Sequence, residues 1–165
     1  MKNKVIRYIS LAFLIIWMAV IFFFSAQEAT ESDQMSRGVA VRVAEFVFRD
    51  YDELDEAGRA QLLDRFYLPI RKLAHILEFF ILGAAAAVFF NTFGNLRAAL
   101  RFMLAAATGV LYSVSDEIHQ IFVVGRACRF TDVLIDSAGV LLAVIAVFLI
   151  SRLVSRGEKG GQQEH

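Results

Sequence analysis

Four apolar runs constrain this chain more than any other feature of its sequence. They cover residues 5–24, 73–90, 102–115 and 133–150. About 20 apolar residues in a helix cross the hydrocarbon core of a bilayer, and a helix satisfies its own backbone hydrogen bonds there. The single proline, Pro69, leaves all four runs unbroken. We therefore predict an all-α integral membrane protein with four transmembrane helices, forming a single domain over residues 1–165.

The composition supports a membrane protein and argues against a nucleic-acid-binding protein and against a disulfide-rich one. Hydrophobic residues make up 58% of the chain, against roughly 45–50% in soluble domains. The 17 basic and 17 acidic residues balance, so bulk attraction to nucleic acid has no support. A single cysteine, Cys128, excludes an intramolecular disulfide framework. The expected partner is the lipid bilayer, with no nucleic acid.

The first apolar run has two interpretations. Lys2, Lys4 and Arg7 precede it, and a basic start is also typical of a secretory signal peptide. Cleavage after Ala26 would place bulky Phe24 where a small residue is required, and the run is longer than a signal core. An uncleaved first span is favoured.

Residues 25–72 are predicted to form one long loop that contains amphipathic helices. Two apolar sets recur at near-helical spacing, Met35, Val39, Val43 and Phe46, then Leu62, Leu63 and Phe66. Residues 50–58 form an acidic link between them, and Pro69 is expected in the first turn of the second span. A solvated loop with helical character is the alternative.

Four spans place both termini on one side of the membrane. The positive-inside rule puts that side in the cytoplasm, because short basic segments lie at residues 2–7, 97–101 and 152–159. The loop at residues 25–72 is then extracytoplasmic. The sequence thus predicts a multi-pass membrane protein with cytoplasmic termini.

Polar residues are predicted to meet at one depth, because the second span begins, the third ends and the fourth begins on the same face. Ionisable groups are costly there and need partners, so they mark functional sites. The candidates are His75, Glu78, Asp116, Glu117, His119, Gln120, Arg126, Asp132 and Asp136.

Helical phase refines this prediction. One stripe of the third span holds Ala105, Gly109, Tyr112 and Asp116, and continues to either His119 or Gln120. Glu117 lies about 100° from Asp116 around the helix and is expected to face another neighbour, such as the loop. Small residues four apart permit close helix contact. Such pairs are Gly83/Ala87, Ala105/Gly109 and Gly139/Ala143, so the bulky first span should dock at the periphery.

Several of these residues carry a resemblance to the VanZ-like family. The second-span motif is Arg71-Lys72-Leu73-Ala74-His75 with Glu78-Phe79 and Leu82-Gly83. The most recognisable signature is Ser115-Asp116-Glu117-Ile118-His119-Gln120 with Phe122 and Gly125-Arg126, followed by Asp132-Val133, Asp136 and Gly139. The chain departs from the family pattern at Val124, where proline is common, and at Ala143, where glycine is frequent.

The resemblance implies a four-span helical protein of bacterial envelopes, and the founding member of the family is associated with teicoplanin resistance. The leading hypothesis is therefore a non-enzymatic protein that lowers glycopeptide action by engaging a lipid, a lipid-linked cell-wall precursor or an antibiotic headgroup. Arg126 would bind phosphate, because guanidinium matches phosphate oxygens in a planar fork. The alternative for Arg126 is an ion pair with Asp132 or Glu117, and Arg129 is expected to be a surface charge.

Two other functions stay open. A membrane-embedded hydrolase or transferase acting on a lipid-linked substrate would use Glu117 or His119 as its acid or base. A divalent metal could assist such an enzyme, because His75/Glu78 and Asp116/His119 are pairs of possible ligands one helical turn apart. The alternative is that these residues form a paired polar network. A small transporter or lipid flippase is the third hypothesis, and four spans would then call for a homo-oligomer.

Overall fold

The computed structural model describes the backbone of residues 2–161 and the side chains of residues 4–154. Five α-helices and one short 3-10 helix follow one another: α1 Lys2–Ser25, α2 Ala29–Val47, the 3-10 helix Tyr51–Glu53, α3 Glu56–Asn91, α4 Ala98–Gln120 and α5 Phe130–Gly161. Helices α1, α3, α4 and α5 are long and apolar enough to cross a membrane. The predicted all-α fold with four spans is confirmed. The tail residues 162–165 and the side chains of Lys2, Arg156 and Lys159, on which the predicted orientation partly depends, lie outside the described residues.

Helices α3 and α5 form the closest contact, and two glycines make it possible. A Cβ atom at Gly83 would lie 2.6 Å from the carbonyl oxygen of Val140, and one at Gly139 would lie 2.6 Å from the carbonyl oxygen of Ile76. Both distances are far below van der Waals contact. The two backbones therefore touch at both points, and only glycine fits there.

The third helix completes this contact through small residues. Gly109 of α4 faces the side chain of Val140, and Ala105 is fully buried. On the other two helices Ala87 and Ala143 are also fully buried. The predicted small-residue contact among spans two, three and four is confirmed.

Helix α1 lies at the periphery, as predicted. It packs on α3 and more briefly on α4, while large side chains such as Ile16 and Phe23 remain exposed. Two hydrogen bonds attach it to the other helices. Trp17 Nε1 donates to the carbonyl oxygen of Glu78 at 2.9 Å, and the Tyr112 hydroxyl donates to that of Met18 at 2.6 Å.

The helix that contains the second span, α3, begins earlier than predicted. Asp55 caps it by accepting a hydrogen bond of 2.8 Å from the backbone N–H of Gly58. The helix then runs for 36 residues with Pro69 inside it rather than in its first turn. At 1.5 Å per residue such a helix is roughly 54 Å long, well beyond a hydrocarbon core of about 30 Å. The predicted second amphipathic helix, with Leu62, Leu63 and Phe66, is therefore the first half of α3.

Helix α2 packs mainly against α3 and buries Ala40 and Ala44. The predicted apolar stripe is instead exposed, at Met35, Val39, Val43 and Phe46. Asp33 holds the start of α2 to α3, because it accepts hydrogen bonds from the Tyr67 hydroxyl and from Arg71. The helix thus covers one end of the bundle.

The signature residues are helical, so the third helix extends beyond the predicted end of its span at residue 115. Helix α4 continues to Gln120, and the connection to α5 covers residues 121–129. Gly125 has a φ of 75°, a conformation that suits glycine. The backbone N–H of Ala29 donates to the carbonyl oxygen of Val124 at 3.2 Å, which docks the connection on the start of α2.

Candidate functional site

Two adjoining cavities open at the end of the bundle where α1 and α4 end and α5 begins. The smaller has a volume of about 120 Å³ and lies among α1, α2 and α3. The larger, about 290 Å³, lies between α3, the connection at residues 121–129 and α5. Arg71, His75 and Arg126 border both cavities. We call the two together the polar cleft.

Eight of the nine candidate residues line the polar cleft. Glu78 and Asp116 face the smaller cavity and Glu117, Gln120, Asp132 and Asp136 the larger one, with His75 and Arg126 between them. They come from α3, α4, α5 and the connection, so the topology brings together residues up to 61 positions apart, from His75 to Asp136. Which of them act in function stays a prediction.

His119 is the exception, because it borders neither cavity. Its imidazole packs on the ring of Phe22 in α1, with ring centroids 4.5 Å apart. At about 100° per residue, His119 lies roughly 60° from Asp116 toward α1, whereas Gln120 lies roughly 40° away on the other side. Tyr112, seven residues before His119, shares this edge and also contacts α1. The stripe into the site therefore continues to Gln120.

The two acids of the signature have separate partners. Asp116 Oδ2 accepts a hydrogen bond of 3.1 Å from Gln120 Nε2, one turn further along α4. Glu117 is 1% exposed, and its carboxylate accepts a hydrogen bond from the backbone N–H of Arg129 immediately before α5. Glu117 thus faces the connection, as helical phase predicted, and binds the positive end of the α5 dipole.

Asp136 is a deeply buried acid that lies beside His75. It is 2% exposed, and its Oδ1 atom has no hydrogen-bond partner. His75 Nδ1 lies 3.9 Å from this oxygen, which is too long for a hydrogen bond. A buried, unpaired carboxylate oxygen is costly, so a donor that enters the cleft would be stabilised here.

Arg126 binds backbone carbonyl groups instead of a carboxylate. Its Nε donates to the carbonyl oxygen of Gln27 at 3.3 Å, and an Nη atom donates to that of Phe24 at 3.5 Å. The structure shows no ion pair from Arg126 to Asp132 or Glu117 among its described side chains. Burial lowers the pKa of the Arg126 guanidinium and nearby Arg71 adds to the effect, yet arginine ionises so high that it stays cationic. Its donors are only partly used, so a ligand anion can bind it.

The sequence did not place Asp33 at the site and showed Arg71 only as part of the second-span motif. Arg71 instead pairs with Asp33 and contacts the Tyr67 hydroxyl at 3.0 Å. The spacing of Tyr67 and Arg71 is one helical turn, but nothing in the sequence shows that α2 brings a carboxylate to them. Lys72 and Arg129 also border the larger cavity.

The smaller cavity combines charged and apolar walls. Arg71, Arg126, Glu78 and Asp116 line part of it. Six apolar side chains also line it: Ile21, Phe24, Met35, Val39, Ile70 and Ala74. The walls come from α1, α2 and α3 in addition to α4 and the connection. Such a cavity suits a molecule with a charged head and an apolar chain.

The arrangement of these residues does not favour a metal centre. Among the described residues, no three His, Cys, Asp or Glu side chains are grouped so that they could hold a metal ion. The two predicted pairs, His75/Glu78 and Asp116/His119, do not combine, because His119 faces α1. The cleft offers acid, amide and guanidinium groups to a ligand.

Comparison with known proteins identified a family. The family model described as VanZ/LLP1 matches residues 10–151, nearly the whole chain. The matched segment contains every residue that lines the polar cleft. No curated protein and no solved structure matches the chain.

Proposed function

This chain belongs to the VanZ/LLP1 family, and from that premise we propose that it lowers the action of teicoplanin-type glycopeptides by binding a lipid or cell-wall precursor headgroup. The protein would act as one VanZ-like domain in the bacterial cytoplasmic membrane, with cytoplasmic termini and an extracytoplasmic polar cleft. Four apolar helices support the membrane setting. The resistance role comes from the family resemblance.

The observation that carries this proposal is the position of Arg126. It borders both cavities, is partly buried and bonds only to carbonyl oxygens among the described residues. A buried guanidinium forms strong charge-assisted hydrogen bonds with phosphate oxygens. The apolar wall of Ile21, Met35 and Ile70 beside it would accept the start of a lipid chain.

The test compares glycopeptide susceptibility of bacteria that express the wild type, Arg126→Ala or Arg97→Ala at equal levels in the membrane. Arg97 is exposed between α3 and α4, at the opposite end of the bundle, and serves as the matched control. We expect Arg126→Ala cells to be as sensitive as cells without the protein and Arg97→Ala cells to be as resistant as wild type. Full resistance with Arg126→Ala would contradict the proposal.

The second candidate is a membrane-embedded hydrolase or transferase that acts on a lipid-linked substrate. The observation that favours it is His75 beside Asp136 in the larger cavity, where an imidazole could exchange a proton with a bound substrate. Turnover of a lipid-linked substrate by the purified wild type, lost in His75→Ala and retained in His119→Ala, would support the enzyme. Absence of turnover on every lipid-linked substrate tried, with headgroup binding intact, would count against it.

A further inference from the structure

We infer that the ligand of the polar cleft carries a primary amine together with its phosphate, as an aminated phospholipid does. Asp136 would accept the ammonium and Arg126 would bind the phosphate. This inference rests on the proposed function, because it names the chemical class of the headgroup that the same cleft would hold.

One carboxylate oxygen of Asp136 is unpaired. The side chain is 2% exposed and borders the larger cavity, yet Oδ1 has no hydrogen-bond partner. Three other acids of the cleft already have donors, because Asp33 binds Arg71 and Tyr67, Asp116 binds Gln120, and Glu117 binds the N–H of Arg129. Glu78 is only partly buried, so Asp136 is the acid whose buried oxygen needs a donor. An ammonium group supplies the hydrogen-bond donor and the positive charge that Asp136 lacks.

The cleft as a whole presents both acidic and basic side chains. Six carboxylates border the two cavities, at Asp33, Glu78, Asp116, Glu117, Asp132 and Asp136, against four lysine and arginine side chains, at Arg71, Lys72, Arg126 and Arg129. A headgroup with only negative charge would offer no cationic hydrogen-bond donor to the acid that lacks one. A headgroup with a phosphate and an ammonium has complementary charges for both sets.

The acidic, basic and apolar groups of the cleft follow one another in space. Arg71 and Arg126 form the wall that the two cavities share, Asp136 lies on the larger-cavity side, and the apolar wall lies on the smaller-cavity side. A phospholipid has the same order, with its phosphate between the amine and the acyl chains. The phosphate would bind the shared wall, the amine would extend to Asp136, and an acyl chain would begin along Met35 and Ile70.

The experiment is native mass spectrometry of the purified full-length protein with equimolar phosphatidylethanolamine and phosphatidylglycerol. We expect the wild type to retain phosphatidylethanolamine about tenfold better, which is the effect of one charge-assisted hydrogen bond on a binding constant. Asp136→Asn should bring this ratio close to one without weakening phosphatidylglycerol. The control Asp64→Asn, which removes an exposed carboxylate of α3, should keep the wild-type ratio, and Arg126→Ala should weaken both lipids.

A second measurement needs no substitution in the cleft, in case Asp136→Asn does not fold. N-acetyl phosphatidylethanolamine keeps the phosphate and removes the ammonium, so wild-type protein should retain it about tenfold less than phosphatidylethanolamine. Equal retention of these two lipids, or of phosphatidylglycerol and phosphatidylethanolamine, would overturn the inference. If that retention still depends on Arg126, the proposed function survives. Retention of no phospholipid would overturn the inference and would leave only a cell-wall precursor headgroup for the proposed function. Retention unaffected by Arg126→Ala would overturn headgroup binding through Arg126.

Discussion

At the scale of single residues, the signature of α4 divides between structure and site. Asp116 and Gln120 bind each other at the cleft, Glu117 binds the start of α5, and His119 packs on Phe22 of α1. Four neighbouring positions of one helix thus have three different surroundings. A role for each cannot be assigned from the motif alone, because successive residues differ by about 100° around the helix axis.

Glu117 gives the residue-scale prediction. We expect Glu117→Ala to lower the free energy of unfolding by about 1–3 kcal/mol, because it removes a buried carboxylate that accepts the partly buried N–H of Arg129 at the start of α5. Glu117→Gln keeps a hydrogen-bond acceptor and should lower the free energy of unfolding by less than Glu117→Ala does. The measurement is an unfolding titration of detergent-solubilised protein, with Glu45→Ala, an exposed acid of α2, as the control.

The order of stability separates a structural role of Glu117 from a catalytic one. If the role is structural, the free energy of unfolding should be highest for the wild type, lower for Glu117→Gln and lowest for Glu117→Ala. A catalytic acid or base predicts that turnover is lost equally in both variants while stability hardly changes. Stability equal to wild type in Glu117→Ala would show that its bond to the N–H of Arg129 is not needed by the fold.

At the scale of the helices, α3 and α5 depend on the absence of two side chains. Their backbones touch at Gly83 and Gly139, where one added carbon atom would lie 2.6 Å from a carbonyl oxygen. In a bilayer, helix association depends on close packing, because lipid chains are as apolar as the side chains that pack. The same contact places His75 and Asp136 opposite each other.

Gly83→Ala gives the helix-scale prediction. The new methyl group must push α3 from α5, and we expect a loss of about 1–3 kcal/mol in the free energy of unfolding, the usual cost of overpacking. Gly38→Ala in α2 is the matched control, because its new methyl group would meet no atom of another element within 4 Å. Gly38→Ala should leave the free energy of unfolding unchanged or raise it by up to about 1 kcal/mol. Equal stability of the two variants would mean that α3 and α5 can separate without cost.

At the scale of the whole molecule, the interior and the surface differ from those of a water-soluble protein. Small residues such as Gly83, Ala86 and Ala105 fill the contacts between helices, while large ones such as Ile16, Phe23 and Leu142 are exposed. These exposed side chains suit the lipid core. The charges at the cleft end come from α2 to α5 and are collected on one side of the bundle.

Labelling of Cys128 would show which side of the membrane the cleft end of the bundle faces. Cys128 is the only cysteine of the chain, and its thiol is free and exposed in the connection beside the cleft. With cytoplasmic termini, we expect a membrane-impermeant maleimide to label it on intact cells, with no labelling of Cys128→Ser. Labelling only after permeabilisation would reverse the orientation and contradict binding of an extracytoplasmic headgroup.

Much of this arrangement could be predicted from local patterns. The four apolar runs predicted the spans, because a bilayer demands about 20 apolar residues per helix. The small-residue pairs predicted the contact of α3, α4 and α5, and the order of the runs brought eight of nine candidate residues to one end. These features depend on the helical periodicity of the side chains and on the alternating direction of successive spans. Both can be read from the sequence alone.

The remaining features depend on which surfaces meet, and the tertiary structure alone decided them. Asp33 reaches Arg71 only because α2 folds back on α3, and Pro69 lies within α3 because Asp55 starts that helix earlier than the apolar run does. His119 lies outside the cleft because α1 occupies its edge of α4. Local periodicity defines the face on which a residue lies, whereas the neighbour that covers this face is set by packing between segments distant in the chain.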